Sequence, residues 1–344
     1  MLYSLARPLL FSLDPERAHK LALGALDLAA HLGIARVLAG PVVQAPRNVM
    51  GLTFPNPVGL AAGLDKNASH IEALSQLGFG FLEVGTVTPR PQPGNPPKRM
   101  FRIRPARALI NRMGFNNLGV DTFVSNVRAS RHQGILGINV GKNFDTPIER
   151  ALDDYRHCLR SVYACASYIT INISSPNTQN LRSLQEGPAL ENLLSGLALE
   201  RMALSERYGH RVPIAIKISP DLDKADVRFV ADSACRHGMD AIIATNTTTS
   251  RAGVEHLRHA AQAGGLSGAP LRERATRIVQ WLSEALAGEL PIIAAGGIMR
   301  GADAAEKIAA GASLVQLYTG VIYRGPQLVG ECARALKVGA QDGG

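Results

Sequence analysis

From about residue 57 onward, short runs rich in Val, Ile, Leu and Ala recur along the chain. Each is followed by a few polar residues and then by a helix-like segment. Eight such runs stand out: Val58 to Gly63, Phe81 to Thr86, Ile135 to Gly141, Tyr168 to Ser174, Pro213 to Ser219, Ala241 to Thr247, Pro291 to Gly297 and Leu314 to Gly320. Continuous apolar runs, as opposed to alternating ones, are the signature of strands buried on both faces of a parallel sheet. Amphipathic stretches lie between them, such as Asn67 to Leu77 closed by Gly78, and Ala302 to Ala310 closed by Gly311. A glycine at that place suits a left-handed helix C-cap. An open doubly wound sheet would also alternate strands and helices, but eight β-then-α units favour a closed (β/α)8 TIM barrel of the α/β class.

The residues that end the runs are polar or glycine: Ala62-Gly63-Leu64-Asp65-Lys66, Thr86, Asn139, Asn172 to Ser175, Lys217, Thr245-Asn246-Thr247, Gly296-Gly297 and Tyr318-Thr319. Any one alone reads as turn chemistry. In barrel enzymes the C-terminal ends of the strands carry the active site, so the eight together are expected to converge on one cavity. Two connections, Thr88 to Asn117 and Ser174 to Gly187, are longer than plain βα loops and read as lids or substrate loops.

Residues 1–45 precede the first strand and form a separate module, leaving residues 46–344 as the barrel domain. Asp14-Pro15 is an N-cap and first-turn pair. Ala18, Leu21, Ala22, Ala25, Leu26 and Ala29 follow at helical spacing, and Leu2, Leu5, Leu9 and Leu13 form an earlier stripe. Two short amphipathic helices are expected, either as a plug under the barrel or as a membrane-surface element. Charged residues such as Asp14, Glu16, Arg17, Lys20 and Asp27 interrupt this segment, so nothing in it spans a bilayer, and no signal peptide is evident.

Composition narrows the choice. The 344 residues suffice for one barrel plus an appendage. The net charge of +9 is scattered, without a Lys/Arg block or interleaved aromatics, which disfavours nucleic acid. Cys158, Cys165, Cys235 and Cys332 form no CxxC pair and have no His at ligand spacing, so they read as buried thiols, with neither metal site nor disulfide.

Glycines after the seventh run and the Tyr318-Thr319-Gly320 turn after the eighth fall where barrels bind phosphate through backbone N–H groups, whereas no GxGxxG or Walker A sequence is present. Asn111, Asn172, Asn177 and Asn246 offer paired donors and acceptors suited to a ring of alternating C=O and N–H. Lys66 and Lys217 at strand ends call for an anionic or polar partner.

These residues resemble the dihydroorotate dehydrogenases, and within them the membrane-associated, quinone-dependent group. The marks are Ala61-Ala62-Gly63-Leu64-Asp65-Lys66-Asn67, Glu83-Val84-Gly85-Thr86-Val87-Thr88-Pro89, Asn111-Arg112-Met113-Gly114-Phe115-Asn116-Asn117, Asn172-Ile173-Ser174-Ser175-Pro176-Asn177-Thr178 and Gly264-Gly265-Leu266-Ser267-Gly268. The resemblance covers essentially the whole chain. It implies FMN, held by Ala62, Gly63, Lys66, Thr86, Asn139, Asn172, Lys217, Thr245, Gly268, Gly297, Tyr318 and Thr319. It also implies dihydroorotate, and its product orotate, bound by Lys66, Asn111, Arg112, Met113, Gly114, Phe115, Asn172, Asn177, Asn246 and Thr247. Ser175 resembles the catalytic base, where the soluble group of the family carries cysteine. The N-terminal helices resemble a quinone tunnel, with His19, Arg102 and Tyr318 at matching positions. A monomer lying peripherally on the cytoplasmic side of the cell membrane is expected, with a membrane quinone as electron acceptor. A soluble FMN barrel using fumarate or NAD, and a non-catalytic phosphate-binding barrel, are the rival readings.

Overall fold

The computed structural model of the chain describes residues 2–338, with the side chains of residues 3–337. In chain order it contains helices α1 (Leu2–Ser12), α2 (Pro15–His31) and α3 (Ala35–Ala39), then strands β1 (Arg47–Val49), β2 (Leu52–Phe54) and β3 (Val58–Leu60). Helix α4 (Ile71–Ser75), β4 (Phe81–Val87), β5 (Met100–Ile103), β6 (Ala108–Asn111), α5 (Val120–Ala129), β7 (Ile135–Val140) and α6 (Ala151–Val162) follow. Next come β8 (Tyr168–Asn172), α7 (Gly187–Tyr208), β9 (Ile214–Ile218), α8 (Lys224–Arg236), β10 (Ala241–Ala244) and β11 (Gly265–Gly268). The chain closes with α9 (Arg272–Leu286), β12 (Ile292–Ala295), α10 (Gly301–Ala309), β13 (Leu314–Leu317), α11 (Thr319–Arg324) and α12 (Gln327–Val338).

The eight expected strands form a closed barrel, β3-β4-β7-β8-β9-β10-β12-β13, with β13 returning to β3 and every pairing parallel. Both faces of these strands are buried, which is why the runs read as continuous. The period of two is still present inside the barrel. Phe81, Tyr168, Ala215 and Leu314 form an apolar lower layer, and two residues further along the same strands lie the buried polar Glu83, Thr170, Lys217 and Gln316. Leu60, Val84, Ile138, Ile171, Ile216, Val315 and Leu317 belong to the outer core shared with the surrounding helices.

Several expectations change. The segment Asn67 to Leu77 is helical only over α4, because the Asp65 carboxylate accepts from the N–H groups of Ser69 at 3.0 Å and His70 at 2.8 Å, folding the chain around itself before a helix can start. The long connection from Thr88 to Asn117 contains the hairpin β5-β6, and the loop after β10 adds β11 to make a three-stranded antiparallel sheet. Two four-residue strands within a Pro- and Arg-rich stretch carry too little alternation to be read. Cys158 and Cys332 are buried as expected, but Cys165 and Cys235 are only partly so.

The barrel floor is not plugged by the N-terminal helices. The unexpected hairpin β1-β2 closes it, with the Phe54 ring edge-on to Phe81 at 5.0 Å. Helices α1 and α2 stand at the opposite end, beside β5 and α11. Arg102 donates to the carbonyls of Leu13 (2.7 Å) and Leu10 (3.3 Å), and Arg99 meets the Glu16 carboxylate at 2.8 Å. The stripe predicted on α2 is only partly the buried one. Ala18 and Leu23 are buried, whereas Leu21 and Leu28 face out. Leu5, Leu9, Leu32, Ile34, Val37 and Val42 are exposed as well, Leu5 at 77% and Val37 at 69%. No helix among the described residues is long and apolar enough to cross a membrane.

Phe54 is wholly buried between hairpin and barrel, so Phe54→Ala removes a close-packed ring where the rigid strand layer cannot collapse. A loss of about 3–5 kcal/mol is expected, read as a fall of roughly 5–10 °C in the thermal midpoint. An unchanged midpoint would mean that the hairpin is not a structural floor.

Candidate active site

The strand ends surround a cavity enclosing about 1160 Å³ of empty space, open mouth included. Its wall contains nineteen of the expected residues: Ala62, Gly63, Lys66, Thr86, Asn111, Met113, Gly114, Phe115, Asn172, Ser175, Asn177, Lys217, Thr245, Asn246, Thr247, Gly268, Gly297, Tyr318 and Thr319. Four others stand elsewhere. Asn139 is fully buried beneath the wall. Arg112 turns its guanidinium outward onto Gln262 (3.0 Å) and the Lys98 carbonyl (2.9 Å), with Phe101 beneath it. Arg102 lines a second hollow with Phe11, Leu13, Phe101 and Met100, and stacks on the Phe11 ring at 4.8 Å. His19 lines neither. Met100 borders both hollows.

Below the wall, hydrogen bonds run in one sense from a single buried carboxylate. Glu83 accepts from Asn139 Nδ2 at 2.8 Å, which turns Asn139 Oδ1 toward the Thr86 hydroxyl (2.6 Å) and Asn172 Nδ2 (3.2 Å). Asn172 Oδ1 is thereby left facing Asn246 Nδ2 at 3.2 Å. Asn246 Nδ2 also donates to Ser174 Oγ at 3.1 Å. A carboxylate only accepts, so it fixes each amide above it and presents a defined donor and acceptor pattern to the cavity. On the other wall Asn177 Nδ2 donates to Asn111 Oδ1 at 3.2 Å, and Ser175 Oγ accepts from the Asn177 N–H at 3.2 Å.

Two lysines enter the same space. Lys66 Nζ donates to the Gly63 carbonyl at 2.6 Å; burial pushes its pKa down to about 8, with Glu16 pulling the other way. Lys217 Nζ lies 4.0 Å from Glu83 Oε1, and burial lowers its pKa against that carboxylate. Burial also holds the His19 imidazole down to about 4, helped by Lys66, and pushes the Tyr318 phenol up to about 12. His19 is therefore neutral near pH 7.

Three turns meet at the far end. A Cβ on Gly297 would fall 2.2 Å from Arg272 Cα, one on Gly320 2.2 Å from the Ile298 carbonyl, and one on Gly268 2.3 Å from the Arg107 carbonyl. Gly297 and Gly268 also have φ of +79° and +96°, where side chains are strained. The same glycines line the cavity, so what they present to it is backbone, and the Ser267 and Thr319 hydroxyls, 2.8 Å apart, border it. Gln316 lines the wall with a buried Oε1 that has no partner among the described residues. An N–H-bearing ring and a phosphate fit these two ends.

Sequence reasoning assigned no role to Glu83, Gln316 or Ser267, nor to the apolar Met100, Leu109, Ile298 and Met299 of the wall. The first two are polar residues at inward positions of apolar strands. Ser267 sits inside a motif of which only Gly268 was assigned. The apolar four carry no local signal.

Among known proteins, the family described as Dihydroorotate dehydrogenase matches residues 44–338. A protein of Pseudomonas savastanoi pv. phaseolicola named dihydroorotate dehydrogenase (quinone) is 60% identical over 335 residues, 97% of this chain and 98% of that protein. One of the same name from Aromatoleum aromaticum is 61% identical over 337 residues, 97% and 95% of the two chains. The crystal structure of the Eimeria tenella DHODH in complex with ferulenol superposes with a TM-score of 0.85 at 38% identity, over 96% of this chain and 93% of that one.

Substituting Gly297→Ala places a methyl group against Arg272 in a strained backbone. The purified protein should lose most of any phosphate-bearing ligand that copurifies with the parent, with secondary structure by circular dichroism retained. Full retention would remove this turn from the binding site.

Proposed function

Since the chain belongs to the dihydroorotate dehydrogenase family, we propose that it oxidises dihydroorotate to orotate in pyrimidine biosynthesis, with FMN as its flavin and a membrane quinone as final electron acceptor. The observation that carries this reading is the convergence of Ser175, four asparagines and Lys66 on one cavity whose far end is lined by glycine backbone. The rival barrels without turnover give no reason for a buried hydroxyl among oriented amides.

The strand-end residues Ala62, Gly63, Thr86, Lys217, Thr245 and Tyr318 would hold the flavin, with its phosphate at Gly268, Gly297 and Thr319 and with Asn139 supporting it from below. When bound, FMN supplies the two-electron acceptor for the hydride leaving C6. The protein's own task is to orient the substrate and take the C5 proton, which is acidified by the neighbouring carbonyl. Asn111, Asn172, Asn177, Asn246 and Thr247 would bind the pyrimidine ring through the fixed amide pattern, and Lys66 its carboxylate. The segment Met113, Gly114 and Phe115 covers the ring and excludes water; Arg112 braces this segment from outside through Lys98 and Gln262. Ser175 removes the proton. A serine hydroxyl is a weak base, so its own proton must leave as it accepts one. The Thr178 hydroxyl, three residues on and buried without a partner among the described residues, is available for that transfer.

Residues 1–45 form the quinone-side module in this reading. The exposed leucines and valines of α1 to α3 would seat in the membrane surface, peripherally and from the cytoplasmic side, on a monomer. His19, Arg102 and Tyr318 would line the quinone's path to the flavin. With His19 neutral and Tyr318 protonated, Arg102 brings the one charge among these three residues.

Replacing Ser175 with Ala should leave FMN bound and slow flavin reduction by dihydroorotate roughly 10²-fold or more, measured anaerobically by stopped flow. Reduction at the parent rate would assign the base elsewhere. The Lys66 ammonium gives a second test. It is protonated below about pH 8 and loses its charge above that value, so the KM for dihydroorotate should climb about tenfold per pH unit above it, with kcat far less affected. Lys66→Arg should abolish that climb. A KM flat to pH 10 in the parent would remove Lys66 from carboxylate binding.

A further inference from the structure

Among the described residues Glu83 is the one carboxylate in the barrel interior beneath the cavity, and the reaction as described gives it no role. It is completely buried. Its Oε1 accepts from Asn139 Nδ2 at 2.8 Å and faces Lys217 Nζ at 4.0 Å. Its Oε2 accepts from the Tyr168 hydroxyl at 2.9 Å and from Gln316 Nε2 at 2.7 Å. Three donors and an ammonium thus surround one carboxylate, while Lys217 and Gln316 themselves line the cavity. Burying such an assembly is costly, and an apolar layer of the same volume would hold the barrel together as well or better. The lower layer of Phe81, Tyr168, Ala215 and Leu314 already does so.

We propose that Glu83 is a positioning residue that sets the reduction potential of the bound flavin, by opposing the positive charge that Lys217 presents to the cavity. The inference rests on the flavin reading above. Two-electron reduction adds negative charge to a flavin. An unopposed ammonium in a low-dielectric wall would favour the reduced state strongly and make electrons reluctant to leave for a quinone. The Glu83 carboxylate, held behind Lys217, cancels part of that field. Its three hydrogen bonds keep it in place when the substrate's own charge arrives and departs.

The test is the flavin midpoint potential of the purified holoenzyme, measured by anaerobic dye equilibration, in Glu83→Gln and Glu83→Asp. Glutamine can keep the network. Its oxygen accepts from Asn139, and its amide donates to the Gln316 oxygen after that side chain flips, or to the Tyr168 oxygen. Glu83→Gln should bind flavin and move the potential positive by about 30 mV or more, a tenfold change in a two-electron equilibrium. Glu83→Asp keeps the charge and should move it by less than half as much. A potential in Glu83→Gln that is unmoved or negative, or one that moves equally in both variants, overturns the proposal. Should Glu83→Gln fail to fold, Tyr168→Phe decides: it removes a donor dipole from the carboxylate and should shift the potential negative, so no shift or a positive one counts against the proposal. A parent protein without flavin would defeat the reading of the whole cavity. A flavin-loaded Glu83→Gln with the parent's potential would defeat the Glu83 assignment alone.

Discussion

A carboxylate can only accept hydrogen bonds, and the one buried inside this barrel decides the sense of the amides above it. From Glu83 the sequence of acceptor and donor passes through Asn139, Thr86 and Asn172 to Asn246, each side chain left with one way to face. Reverse any of these amides and two donors or two acceptors meet in a dry interior, at a cost of about 1–3 kcal/mol for each group left unpaired. The substrate-facing pattern of the cavity is therefore a consequence of charge burial deep in the barrel, not of the loops that surround the mouth. Parallel closure is what lets the two communicate. All eight strands run in the same direction, so inward positions stack in layers, and the layer above Glu83 is the rim itself.

The other end of the cavity follows a different logic. There the protein contributes backbone, not side chains, and three glycine-bearing turns approach closely enough that no Cβ fits between them and their neighbours. The N-terminal helices then add a third element at the same end of the barrel. They are tied to the β5-β6 hairpin by arginines that bond carbonyls at the end of α1 and the carboxylate of Glu16. Fixing the helices partly through their polar edge leaves Leu5, Leu9, Leu21, Leu28 and Val37 facing outward while Phe11, Ala18 and Leu23 pack inward. Reductant, flavin and quinone can accordingly be served from one end of the barrel, while the β1-β2 hairpin seals the other.

The barrel was legible in the sequence because strands buried on both faces leave long apolar runs, and each run was followed by a rim residue whose polarity had no other use. Nineteen of the residues expected at the site meet in the cavity wall for that reason. What escaped notice falls into two physical groups. Short antiparallel strands such as Met100–Ile103 and Ala108–Asn111 gain their order from each other and from β11, 150 or so residues away in sequence, so no local pattern announces them. The inward polar residues Glu83 and Gln316 are single interruptions in apolar runs. Their meaning depends on which residues neighbouring strands place opposite them, and that is set by register. The α2 stripe left its partner open for a related reason. Helical spacing shows that one face is apolar but not whether the partner is protein or lipid.

One spectroscopic experiment tests most directly whether the cavity holds a flavin that dihydroorotate reduces. The visible spectrum of the purified protein is recorded anaerobically, then after dihydroorotate is added, then after a quinone is added. The expected result is a flavin spectrum that bleaches with dihydroorotate and returns with quinone, but does not return with fumarate or NAD. A protein without flavin absorbance, or one whose flavin stays oxidised in excess dihydroorotate, would contradict it.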